Sequence, residues 1–230
     1  METQITIKKP KIDTNEYKYL VLENKMRVIL VHDATADKSA ACMDVDVGQL
    51  WDPPNRCGLA HFCEHMLFLG SKKYPKEDEL KNYLQNNSGD TNAWTSNTDT
   101  NYYFSVSNAG FEGALDRFAS VFQEPLFDPS SCDREVKAVD SENARYLNMD
   151  SWRFWHLMKL TSLPGSPYCK FGVGDLEHLQ KESGLRDDLL KFYKDYYSSN
   201  LMVLCLLSKH SMDVMEDWVR KYFTPIPNHD

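Results

Sequence analysis

Apolar and polar residues alternate along the first fifty positions and then give way to a near-continuous apolar run at 58–70, a pattern of strands followed by a buried helix. Segments 17–23 and 25–31 predict two strands around Asn24, and 40–47 predicts a third, setting Cys42, Asp44 and Asp46 against Met43, Val45 and Val47. After a Pro53-Pro54 loop comes the apolar helix, bordered by Gly58 and Gly70. A second helix runs from about 76 to 87, opened by Pro75 with acidic Glu77 and Asp78 in its first turn. Segments 91–96 and 101–107, rich in Thr, Tyr, Trp and Phe, form a strand pair. Helices follow at 110–123 and from 129 through to about 160, then short ones near Asp175 and at 185–196. The continuous apolar segment 201–207 is a strand and 212–223 a closing helix. Strands and helices mixed without strict alternation predict an α+β fold, a sheet covered by helices.

The apolar helix contains His61-Phe62-Cys63-Glu64-His65, an H-x-x-E-H pattern. At about 100° per residue, positions i, i+3 and i+4 share a face, so His61, Glu64 and His65 point the same way. Leu59, Phe62, Cys63, Met66 and Leu67 fill the rest of the circumference. A polar trio on a buried helix needs a partner, and a metal ion is the simplest one that takes both imidazoles. Cys63, roughly 200° around the helix from His61, faces away and reads as a packed core thiol.

Composition narrows the function classes. With 230 residues, 42% of them hydrophobic, the chain can build one sizeable core, and one domain is the simpler expectation. A net charge of -8 and no basic stripe argue against nucleic acid as a partner. No apolar run approaches the roughly 20 residues that span a bilayer. Met1-Glu2-Thr3-Gln4 has neither signal-peptide nor transit-peptide character, which makes a cytoplasmic location the default. The six cysteines are widely spread with no C-x-x-C, so reduced thiols are expected.

A catalytic zinc takes three protein ligands, so one more must come from elsewhere. Glu135 and Glu142, seven apart on the helix that starts near Pro129, lie on one side of it beside Ala138, Val139 and Tyr146. Spacing does not choose between them. His32, His156, His178, His210 and His229 read as surface or packed histidines.

The run from Gly58 to Gly70, followed by Lys73-Tyr74-Pro75, resembles the active-site segment of the inverted-motif zinc metallopeptidases, the family of insulin-degrading enzyme, pitrilysin and nardilysin. Further ordered matches are Asn92-Ala93-Trp94-Thr95-Ser96, Asn101-Tyr102-Tyr103-Phe104, Asp133-Arg134-Glu135-Val136, Ala138-Val139-Asp140-Ser141-Glu142, Lys170-Phe171-Gly172 and Tyr196-Tyr197-Ser198-Ser199-Asn200. Within that family, Cys63 and the Leu-Phe-Leu-Gly ending of the helix favour the insulin-degrading type over nardilysin.

The resemblance implies a mixed, mostly antiparallel sheet covered by helices, like one domain of a pitrilysin-type enzyme. It implies Zn2+ held by His61, His65 and Glu142, with Glu64 as general base and Glu135 orienting the site from behind. Asn92, Ala93 and Trp94 would lie on an edge strand to which a substrate peptide adds by main-chain hydrogen bonds, and Phe68, Trp152 and Trp155 would be hydrophobic positions near the cleavage point. The expected division is an N-terminal extension at 1–16, the catalytic domain at 17–224 and the start of a linker at 225–230. The expected partners are peptide substrates and the further domains, or homologous second half, that close the chamber in the family. Without that half, the chain is expected to bind zinc and to hydrolyse peptides weakly. The alternatives are a peptide-binding scaffold without chemistry and a mitochondrial processing-type protease.

Overall fold

The computed structural model describes residues 7–230, so the first part of the expected N-terminal extension lies outside the described residues. In chain order the elements are β1 (Glu16–Val21), β2 (Arg27–His32), β3 (Lys38–Val45), α1 (Leu59–Leu67), α2 (Glu79–Asn86), β4 (Asp90–Thr95), β5 (Thr100–Ser107), α3 (Phe111–Gln123), α4 (Pro129–Tyr146), α5 (Asp150–Leu160), α6 (Leu176–Leu179), α7 (Leu185–Tyr196), β6 (Met202–Ser208) and α8 (Met212–Phe223). The strands form one sheet in the order β1-β2-β6-β3-β5-β4. β6 lies parallel to β2, and every other pairing is antiparallel. The fold is therefore the expected α+β class, with a mixed, mostly antiparallel sheet.

Alternation along each strand decides which face is covered. Val28, Leu30, Ala41, Met43, Val45, Tyr102, Phe104, Leu204 and Leu206 are buried on one face. On it pack α1, α3 and α8, whose own apolar stripes include Phe62, Phe118 and Val219. The opposite face carries Ala40, Cys42, Cys205 and Leu207, each only half-buried. β6 is the last strand in sequence and sits near the middle of the sheet, which explains its unbroken apolar run.

The helix expected from 129 to about 160 is two helices. The main chain turns extended at Met149, and α5 starts anew at Asp150. Asn148 donates its side-chain amide to Ala144 O, and Met149 N–H bonds back to Tyr146 O. An asparagine that captures a helix carbonyl competes with the helix at that point. α2 likewise starts at Glu79 rather than at 76, because Glu77 accepts a hydrogen bond from Ser131 Oγ and is tied to α4. At 225–230, Ile226 is buried and Asn24 Nδ2 donates to its carbonyl at 3.0 Å. Among the described residues no helix is long and apolar enough to cross a membrane.

Candidate metal centre

α1 is a core helix, and its first turn is fixed from outside. Gly58, at φ 87, adopts a left-handed conformation, and a Cβ there would lie 2.3 Å from Gly174 Cα, so only glycine allows the close approach. Asp52, buried, caps the exposed N–H groups by accepting from Gly58 N at 2.7 Å and Ala60 N at 2.8 Å. Burial pushes its carboxyl from 3.8 up to about 7, against those two donors. Arg56, 1% exposed, donates to the carbonyls of Leu179, Glu182 and Ser183 and pairs with Asp188 at 2.7 Å. The start of the helix is thereby tied to the segments around α6 and α7.

The contact between Gly58 and Gly174 brings Val173 O within 2.6 Å of His61 Nδ1. A carbonyl only accepts, so Nδ1 carries the proton and Nε2 keeps its lone pair. Glu135 Oε1 lies 2.7 Å from His65 Nδ1 and fixes the second ring in the same sense. The two Nε2 atoms then face each other at 3.2 Å. Glu142 Oε2 completes the group, 3.3 Å from His65 Nε2 and 3.6 Å from His61 Nε2. It is buried, yet it accepts no well-aligned hydrogen bond. Its sister oxygen accepts from Tyr146 Oη.

Two lone pairs and an orphaned carboxylate oxygen, converging at these distances, are a donor set shaped for a cation. His61, His65 and Glu142 are the one such group of three among the described residues. In the ion-free protein the charges compensate through protons. Burial draws the His65 imidazolium down, but its hydrogen bond to Glu135 and the adjacent Glu142 carboxylate outweigh this and raise it to about 10. Glu142 is lowered to about 2, first by His65, with burial opposing and Tyr146 assisting.

Glu64 is 7% exposed, and its Oε2 accepts from Thr95 Oγ1 at 2.5 Å. The site lines a cavity of about 650 Å³ whose walls include Phe68, Asn92, Ala93, Trp94, Trp152, Glu135 and Glu142. Among the described residues β4 pairs only with β5, so its outer edge is open to that cavity. Trp155 is not in the wall. It stands edge-on to Trp152 at 5.4 Å and lines the neighbouring groove along α5. Cys63 is fully buried and points into the core, away from the ligands, with its thiol pushed far up by burial.

Sequence reasoning missed Val173, Thr95, Gln49 and Asp52. Val173 acts through a backbone carbonyl, which no side chain advertises. Gln49 donates to Thr95 O at 3.4 Å and accepts from buried Lys159 at 2.8 Å, which buttresses the end of β4. The position of Asp52 directly before Pro53-Pro54, as a cap without an adjoining helix, was the one available signal.

Comparison with known proteins places this geometry. The sequence pattern of the family described as Insulinase (Peptidase family M16) matches residues 27–165, and that described as Peptidase M16 inactive domain matches residues 185–230. Insulin-degrading enzyme of Bos taurus is 51% identical over 94% of this chain and 22% of its own length. The A-factor-processing enzyme of Saccharomyces cerevisiae is 45% identical over 96% of the chain and 22% of its own length. The crystal structure of pitrilysin superposes with a TM-score of 0.96 at 37% identity, covering all of this chain and 25% of that one. The chain thus spans about a quarter of the length of the relatives it matches.

Proposed function

The chain belongs to the insulinase (M16) family of peptidases, and on that premise we propose that it is the zinc-binding catalytic domain of an endopeptidase that hydrolyses short to medium peptides. The observation that carries this reading is the convergence of His61 Nε2, His65 Nε2 and the unpartnered Glu142 Oε2 beside the buried carboxylate of Glu64. Zinc held by this set supplies a Lewis acid that polarises the scissile carbonyl and acidifies a water.

The chain's own residues do the rest. Glu64 accepts the proton of the attacking water and hands it to the leaving amine, and the Thr95 hydroxyl holds one of its oxygens in place. Glu135 and Val173 O keep both imidazoles in the tautomer that leaves Nε2 free. The open edge of β4 at Asn92, Ala93 and Trp94 takes the peptide main chain, a mode that tolerates many sequences. Phe68 and Trp152 offer apolar walls.

A second reading is favoured by length. Because the chain covers 22% of its relatives, the chamber around the substrate draws on residues outside this segment, and the domain by itself binds zinc and peptide with weak turnover. Glu64→Gln is expected to keep zinc and lower peptide hydrolysis by about 10²–10⁴-fold. Glu142→Gln is expected to lower the zinc content itself. Metal analysis beside a peptidase assay reads both, and undiminished hydrolysis by Glu64→Gln would sink the assignment of the base.

A further inference from the structure

The face of the sheet that α1, α3 and α8 leave uncovered holds two cysteines in register. β3 and β6 run antiparallel with Cys42 opposite Cys205. Side chains directly opposed on antiparallel strands stand on the same face with Cβ atoms about 4.5–5.5 Å apart. Both thiols are half-buried, and together with Ala40, Tyr103 and Leu207 they line a shallow depression of about 370 Å³. Opposed Cα atoms of antiparallel strands, about 4.5–5.5 Å apart, fall inside the roughly 4.4–6.8 Å range that a disulfide needs. The Cβ atoms of a disulfide stand about 3.5–4.5 Å apart, so closing the bond draws the two side chains together by roughly 1 Å without changing the strand register.

Asn101 distinguishes the two thiols. It lies opposite Asp44 on β5, and its Nδ2 donates to Cys42 Sγ at 3.1 Å and to Asp44 Oδ2 at 2.8 Å. Asn101 Oδ1 also accepts from the Cys42 thiol at 3.3 Å, so the one amide meets both forms of this sulfur; among the described residues Cys205 has no such donor for its thiolate, which makes Cys42 the attacking member of the pair.

We propose that Cys42 and Cys205 are a dithiol modification site that closes into a disulfide between β3 and β6 by exchange with a small-molecule disulfide of the glutathione type. The Cys42 thiolate attacks one sulfur of the disulfide, forms a mixed disulfide and expels one glutathione thiolate. Cys205, after losing its proton, attacks Cys42 Sγ and expels the second. The protein loses two hydrogens and is oxidised by two electrons, and the small disulfide is reduced to two thiols. Burial pushes both thiols up, with Asn101 opposing the shift at Cys42 and the neighbouring thiol adding to it at Cys205. High-pKa sulfurs hold only a small thiolate fraction at neutral pH, which slows closure, but they are also poor leaving groups, so the closed form resists reopening.

The test incubates the chain with oxidised glutathione, alkylates the remaining thiols under denaturing conditions and maps the peptides by mass spectrometry. The wild-type chain is expected to lose two hydrogens, to retain four of its six free cysteines and to yield one cross-linked pair containing Cys42 and Cys205. Cys205→Ser is expected to stop at a glutathione adduct on Cys42. Retention of all six thiols, a stable adduct on either cysteine of the wild type, or a cross-link that includes any other cysteine would overturn the proposal. The wild-type map decides the matter even where a serine variant does not fold.

Discussion

α1 and α5 both contribute to the walls of the cavity that holds His61, His65 and Glu142, and they are built on opposite terms. α1 is sunk in the core, with seven of its residues buried, and its ligands stand out of a wall of Phe62, Met66 and Leu67. α5 turns apolar side chains to solvent, with Phe154 64% and Leu157 55% exposed, and buries only Lys159. Rigid core placement suits groups that must converge within a few tenths of an ångström, because their rotamers are locked by packing. Nothing comparable fixes the groove along α5. The three candidate metal-binding groups are thus held by core packing, while the apolar side chains along α5 face solvent.

The contrast breaks most visibly at Arg56. Its guanidinium is buried and serves three carbonyls as well as Asp188, so Arg56→Met orphans several acceptors at once. Each orphaned buried group costs about 1–3 kcal/mol, and the expected loss of stability is about 3–5 kcal/mol in urea unfolding. A loss below about 1 kcal/mol would mean that the start of α1 is not anchored there.

Next in size is Glu135→Gln. The amide oxygen still accepts from His65 Nδ1, but the charge that strengthens the imidazole as a ligand is gone. Zinc affinity, measured against a competing chelator, is expected to fall about 10–100-fold. Unchanged affinity would show that packing alone orients His65.

How much of this was legible in the sequence follows from the same contrast. His61, Glu64 and His65 belong to one helix, so periodicity alone put them on one face. Glu135 and Glu142 share a side of α4, and spacing could not say which oxygen meets which nitrogen. In the folded chain α4 crosses α1 so that Glu135 reaches Nδ1 of His65 and Glu142 reaches the Nε2 pair. The break between α4 and α5 was not legible either, since Leu147-Asn148-Met149-Asp150 contains neither glycine nor proline. The resemblance to a family supplied the role of Glu142 that spacing left open.

Asp52 adds a dependence on pH. Its carboxyl in the fold lies at about 7 instead of 3.8, so between those values the folded chain holds a proton that the unfolded chain has released. The contribution of this group to stability is therefore fully present below about pH 4 and is lost as the pH rises through about 7. Asp52→Asn cannot titrate. The stability gap between wild type and variant is expected to narrow by on the order of 1–3 kcal/mol from pH 5 to pH 8. A gap that stays constant would mean that the N–H groups of Gly58 and Ala60 hold the carboxylate ionised throughout.

The smallest effect is expected on α5, and for that reason it tests the comparison hardest. Phe154→Ser and Leu157→Ser remove apolar surface that already faces water, so each is expected to change the stability of the chain by no more than about 0.5 kcal/mol. Zinc content is expected to stay as it is, because neither residue lines the wall that holds the ligands. A loss above about 1.5 kcal/mol requires that these side chains be buried in solution, since only burial gives a large apolar side chain that much to lose. Sedimentation of the same variants then distinguishes a second copy of the chain as the cover, because the loss of stability and the loss of the dimer would come together.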